Sequence, residues 1–248
     1  MSIVAVGSAK ASPGATCLSV GLGLSWEATI GRRAVLVEAD GDGGVLAARF
    51  GLTATPSLVE LAGAARHELT IEKLQTNCQM LAGQLPALLA PGCGETTTAV
   101  LAPLAGQLVE GFGRFDDIDA VVDVGRVRTD SPAIELIDHC DLLVLVVQPR
   151  FDQLVPLVHQ ARTLTARNVP TALVCVGDQP YPPTEMAKAC QLDLLGVFAH
   201  EPRVAQALQA GLPDHRRHRR FLLWRSLAEL GQRIHYRLQA RTEAASPR

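Results

Sequence analysis

The chain has 248 residues, 48% of them hydrophobic and 19% charged, with a formal net charge of -2. This length and apolar content suit one large domain or two small ones around a sizeable core, and exclude an intrinsically disordered chain. No stretch approaches the ~18 uninterrupted apolar residues of a membrane span, and the opening MSIVAVGSAK has no basic region ahead of an apolar segment, so no secretory signal is expected.

Apolar runs at 3–6, 34–38, 85–90, 119–123, 142–147, 171–176 and 193–198 predict seven strands. Most are continuous rather than alternating, the pattern of a parallel sheet covered by helices on both faces. Helical periodicity lies between them: Leu18, Leu22 and Trp26 follow the first strand, and Val100, Leu101, Leu104 and Leu108 precede the fourth. The order predicts an α/β fold with a doubly wound, mostly parallel sheet over residues 1–212. No linker or internal repeat divides that stretch. Composition shifts near Gly211-Leu-Pro-Asp214, so 213–248 is predicted as a basic C-terminal helix and tail. In doubly wound sheets ligands bind beyond the carboxyl ends of the strands, which makes the residues after each strand the candidates for function.

After the first strand comes Gly7-Ser-Ala-Lys10-Ala-Ser-Pro-Gly14-Ala-Thr16-Cys17, leading into the first helix. A small-residue loop at a helix N-terminus lets backbone N–H groups and the helix dipole surround a phosphate. A P-loop also places Lys before its Ser/Thr, the lysine for the β/γ-phosphates and the hydroxyl for magnesium. Here Ala15 stands in the lysine position. Lys10 is conspicuous because lysine occurs at only three positions, 10, 73 and 188, against 20 arginines.

On these residues the chain resembles the ParA/MinD family of deviant Walker A ATPases, whose loop runs K-G-G-x-G-K-T-T. Lys10 matches the family's early signature lysine, and Gly14 and Thr16 also match. Ala11, Ser12, Ala15 and Cys17 replace two glycines, the P-loop lysine and the second threonine. The layout is similar to divergent MinD-like proteins with an S-P-G-x-T loop. Val35-Leu-Val-Glu38-Ala-Asp40 resembles the family's second strand, which ends in D-x-D, and Val121-Val-Asp123-Val-Gly125 resembles its Walker B strand.

The resemblance implies a P-loop NTPase-like fold and ATP or ADP with Mg²⁺ as cofactor. It assigns the nucleotide to Lys10, Ser12, Pro13, Gly14, Ala15, Thr16 and Cys17. Adenine would lie at the loops carrying Pro180 and Pro202. Mg²⁺ would lie at Thr16, Asp123 and Glu38, and Asp40 would orient the attacking water. Lys10 would reach a partner's phosphates in trans in a nucleotide-dependent homodimer. Phosphoryl transfer is mostly positioning and charge stabilisation, so Ala15 implies weak or absent hydrolysis; removing one such stabiliser costs about 10²–10³ in rate. The implied role is a switch in cell division, partitioning or positioning, through a protein partner the sequence does not name. A pseudo-ATPase scaffold and a pilus- or secretion-assembly regulator of the same family remain open. So do local readings: residues 11–15 as a tight turn, and Asp40 and Asp123 as turn or cap residues.

Six cysteines lie without C-x-x-C or Cys/His spacing, and several, such as Cys175, sit in apolar runs as buried free thiols would, which predicts a reduced, cytoplasmic protein. From Arg219 on, Leu223, Leu227, Leu230, Ile234 and Leu238 form an apolar stripe at helical spacing, with Arg225, Arg233, Arg237 and Arg241 off it. This basic amphipathic helix suits docking on an acidic body. Two other readings stand beside it: peripheral contact with the inner face of a membrane, with Phe221 and Trp224 inserting, and non-specific DNA contact through the 215–241 segment.

Overall fold

The structure, a computed structural model, describes residues 1–10, 13–66, 68–210 and 221–245. Its elements in chain order are β1 (Ile3–Ser8), α1 (Ala15–Ile30), β2 (Arg33–Glu38), α2 (Leu46–Arg49), α3 (Leu58–Ala64), α4 (Ile71–Asn77), β3 (Gln79–Leu81), β4 (Leu85–Leu88), α5 (Gly94–Gly113), β5 (Ile118–Arg126), α6 (Ile134–Asp138), β6 (Leu142–Val147), α7 (Phe151–Ala166), β7 (Thr171–Val176), α8 (Pro183–Cys190), β8 (Asp193–Phe198), α9 (Pro202–Gln209) and α10 (Leu222–Ala245). One sheet runs in the order β3-β4-β2-β5-β1-β6-β7-β8. Every pairing is parallel except β3 with β4. The seven expected strands are present. The additional one, β3, spans three residues at the sheet edge and leaves Met80 exposed, so no apolar periodicity announces it.

The continuous apolar runs reflect burial on both faces. All residues of β1 and of β6 are buried. Side chains of Val4, Val6, Leu36, Val121 and Val144 pack on one face with α1, α9 and α10, while those of Ala5, Val37, Val122 and Leu145 pack on the other with α3 to α8. At the N-terminal edge of the strands, buried Asp119 accepts hydrogen bonds from Trp26 Nε1 (3.0 Å), Arg32 Nε (2.9 Å) and the Ser2 backbone N–H (3.0 Å). These bonds tie β5 to α1 and to the start of β1, with the buried charge paired and hydrogen-bonded.

The basic helix docks on the body. Leu223, Leu227, Leu230, Ile234 and Leu238 are buried against α1 and β8. Gly21 of α1 makes the close approach possible, since a Cβ there would lie 2.7 Å from Leu227 Cδ1. Its cations find acidic or carbonyl partners on the body: Arg237 pairs with Asp193 at 2.8 Å, and Arg233 donates to the Leu195 carbonyl at 2.8 Å. Glu201 accepts from the Leu223 N–H at 2.6 Å, placing a carboxylate at the positive end of the helix dipole. Trp224 is 9% exposed, and the apolar stripe is spent on the core rather than presented to a bilayer. No described helix is long and apolar enough to cross a membrane. Arg216, Arg217, Arg219 and Arg220, with the domain boundary at 212–213, lie outside the described residues.

Leu227→Ala removes a fully buried side chain from the α1–α10 contact. It is expected to lower unfolding stability by about 2–5 kcal/mol, read as a reduced urea midpoint.

Candidate functional site

The carboxyl ends of β1, β2 and β5 meet the N-terminus of α1 around a cavity of about 400 Å³. Its walls include Ser8, Pro13, Gly14, Ala15, Thr16 and Cys17 from the first loop and helix, Asp40, Asp42, Val45 and Arg49 after β2, Gly125 and Arg126 from β5, and Gln209 from α9. Helix α1 begins after Gly14 (φ 107°) with no side-chain cap. The N–H groups of a helix's first turn have no intrahelical acceptor, so this wall presents donors and the positive end of a 16-residue helix.

The Gly125 N–H donates to Asp123 Oδ1 at 3.2 Å, and the Thr16 side chain stands near enough to the Asp123 carboxyl to favour its charged form. Asp123 is 1% exposed. Burial pushes its carboxyl up from 3.8 to about 7 despite these contacts, with Asp40 and Glu38 adding repulsion. Asp40 accepts from the Asp42 N–H at 3.0 Å, and burial raises its carboxyl as well. Asp40 packs directly on Gly125, whose φ is 60°. A Cβ at that position would stand 2.1 Å from Asp40 Cγ, so glycine is required by both conformation and space.

Glu38 does not line this cavity. It is 1% exposed, and its two oxygens accept from the backbone N–H groups of Val45 (2.6 Å), Leu46 (2.9 Å) and Ala90 (3.1 Å). It anchors the loop after β2 to the end of β4 rather than standing open to a cation. Burial still raises its carboxyl, as the bonds offset only part of the desolvation. Lys10 also lies outside the cavity lining. Its ammonium meets Asp152 at 3.4 Å, and both side chains are 51% exposed. Pro180, on the loop after β7, and Pro202, the first residue of α9, are exposed and do not line the cavity either. Ser12 lies outside the described residues.

The structure thus gathers Pro13, Gly14, Ala15, Thr16, Cys17 and Asp40 on the cavity wall, with Asp123 buried behind it. Sequence reading missed Arg49, Arg126 and Gln209. Arg126 directly follows the Asp123-Val-Gly125 run, which was the available signal; Arg49 and Gln209 carry none, because their helices reach the site only through the fold.

Among the described residues no group of three or more His, Cys, Asp and Glu side chains is arranged to hold a metal by itself. The oxygen pair of Thr16 and Asp123 suits a hard cation that keeps waters and takes further ligands from phosphates, which is the habit of Mg²⁺.

No protein-family model matches the chain, and no curated protein does. Solved structures do. A ParA family ATPase from Chlorobium tepidum superposes with a TM-score of 0.80 at 16% identity, covering 93% of this chain and 97% of that one. The cell division ATPase MinD of Pyrococcus furiosus gives 0.77 at 17% identity, with 95% and 98% covered. The septum site-determining protein MinD of Pyrococcus horikoshii, complexed with Mg-ADP, gives 0.76 at 15% identity, with 94% and 95% covered. The chain therefore has the ParA/MinD-like α/β fold.

Folding raises the Asp123 carboxyl from 3.8 to about 7, so between those values the folded chain keeps a proton that the unfolded chain releases. The group weakens the fold as pH rises through that window, and by its full amount above it. Asp123→Asn is expected to be more stable than wild type at pH 8, by up to about 4 kcal/mol, and to lose most of that advantage near pH 4. Urea unfolding at the two pH values checks this.

Proposed function

We propose that the protein is a nucleotide-binding switch of the ParA/MinD type, taking ATP or ADP with Mg²⁺ and working by nucleotide-dependent dimerisation and partner binding in division, partitioning or positioning. One observation carries the reading: the Thr16 side chain and the buried Asp123 carboxylate come together where the donor end of α1 opens into the cavity. That pairing is what Mg²⁺ bound to a polyphosphate needs, an oxygen pair beside a phosphate-binding helix terminus. The Mg-ADP held by the Pyrococcus horikoshii protein on the same fold supports it.

In this reading α1 N–H groups bind the phosphates, and Thr16 and Asp123 hold the cation. Mg²⁺, when bound, neutralises charge on the phosphate oxygens. Asp40 accepts a hydrogen bond from, and so orients, a water near the terminal phosphate; its position against Gly125 leaves it little freedom. Ala15 offers no cation, which favours binding and switching over rapid turnover. Lys10, exposed and held only by a solvent-facing pair with Asp152, is the residue that would cross to a second copy.

Calorimetric titration tests the reading. Wild type is expected to bind Mg-ADP and Mg-ATP, and Thr16→Ala to weaken both by about tenfold or more, given the loss of a charge-linked hydroxyl contact. Absence of heat from wild type at millimolar nucleotide overturns the switch and leaves a scaffold. In sedimentation, Mg-ATP is expected to convert the wild-type monomer to a dimer, and Lys10→Ala to remain monomeric.

A further inference from the structure

Arg126 occupies its place because of an irregularity in the sheet. Strands β1 and β5 pair as Val6↔Asp123 and then as Gly7↔Gly125, so one residue of β5, Val124, is passed over. Asp123 and Arg126 are three positions apart, and regular alternation would send them to opposite faces. The slip returns Arg126, paired with Ser8, to the face of α1. Val124 and Val127 correspondingly flank Gly7 on the other face, with methyl groups 2.7 and 2.6 Å from where its Cβ would be. Bulges of this kind re-aim side chains near ligand sites.

The guanidinium so placed is barely used. Its nearest carboxylate, Asp42 Oδ2, is 3.9 Å away, and its Nε is buried with no hydrogen-bond acceptor among the described residues. Arg32 and Arg237 of the same chain are bound to carboxylates at 2.9 and 2.8 Å. Arg126 lines both the 400 Å³ cavity and an adjoining one of 160 Å³. Of the residues lining the larger cavity, the basic ones are Arg126 and Arg49. Arg126 pairs in register with Ser8 and follows Gly125, and Arg49 holds Gln209 Oε1 through Nη1 at 2.8 Å. The remaining charges there are Asp40 and Asp42, with Asp123 behind Thr16. A polyphosphate entering this acidic setting needs cations beyond Mg²⁺, and Ala15 provides none.

We propose that Arg126 binds the terminal phosphate of a nucleoside triphosphate and so carries the charge that lysine at position 15 would otherwise bring, while Arg49, the other basic residue on the wall, serves the rest of the phosphate chain. The proposal rests on the nucleotide reading above. An arginine fork donates two parallel N–H bonds to phosphate oxygens, so it can serve where a lysine point charge is missing. It approaches from β5, outside the loop that normally encloses the phosphate.

The test is calorimetry with Mg-ATP, Mg-ADP and Mg-tripolyphosphate on wild type and variants, each checked for an unchanged thermal midpoint. Arg126→Gln is expected to weaken Mg-ATP and tripolyphosphate by about tenfold or more and Mg-ADP by much less. Arg126→Lys should retain part of the ATP preference, and Ala15→Lys added to Arg126→Gln should restore it. Arg49→Gln should weaken ATP and ADP alike. Arg126→Gln binding ATP as wild type does would falsify the assignment while leaving nucleotide binding intact. Equal loss of ATP and ADP with a lowered thermal midpoint would make Arg126 a structural residue and also overturn it. Wild type that binds neither nucleotide removes the underlying reading itself.

Discussion

The pairing of β1 with β5 at the centre of the sheet governs the site. In a parallel sheet all strands end on one edge, and the register of this one pair decides which β5 side chains meet the loop that leaves β1. Val6 opposite Asp123 puts the carboxylate under Thr16. The one-residue slip immediately afterwards turns Gly125 toward Asp40 and Arg126 toward the cavity. A regular strand would deliver Asp123 but send Arg126 to the opposite face, among the helices α3 to α8.

Electrostatics follow from the same geometry. Glu38 and Asp123 are paired positions on β2 and β5, and Asp40 lies just beyond them. Burial raises all three carboxyls; Asp40 adds repulsion at Glu38, and Asp40 and Glu38 both add it at Asp123. The molecule handles them differently. Glu38 is given three backbone donors and becomes a brace between two loops. Asp123 takes one backbone N–H, that of Gly125, among the described residues, so it retains acceptor capacity for a cation. Part of the negative charge is offset by Arg126, which draws the Asp40 carboxyl back down.

The C-terminal helix shows the same economy of surfaces. Its leucine stripe closes over α1, which is itself apolar on nearly all sides because it lies between the sheet and α10. Both the N-terminus of α10, through Glu201 and Leu223, and its body, through Arg237 and Asp193, are bonded to segments at the two ends of β8. The arginine bias that gives the terminal segment its basic character is thus partly neutralised on the protein's own surface.

Much of this was legible in the amino-acid sequence. Continuous apolar runs specify parallel strands because burial on both faces leaves no reason for alternation, and all seven predicted runs became strands. Asp40, Asp123 and the Gly14-Ala15-Thr16 turn could be singled out because residues after parallel strands must share an edge. Lys10, Glu38, Pro180 and Pro202 looked equivalent to them by position, yet their side chains are engaged or exposed elsewhere, a matter of which partner each one meets. Arg49 and Gln209 were invisible for the converse reason, and Arg126 was marked only by its place after Asp123-Val-Gly125. Local order along the chain determined the strands, the helices and the edge on which a site must form. Only tertiary structure decided the members of that site, because a slipped register and the docking of distant helices are set by packing between segments, not by the segments themselves.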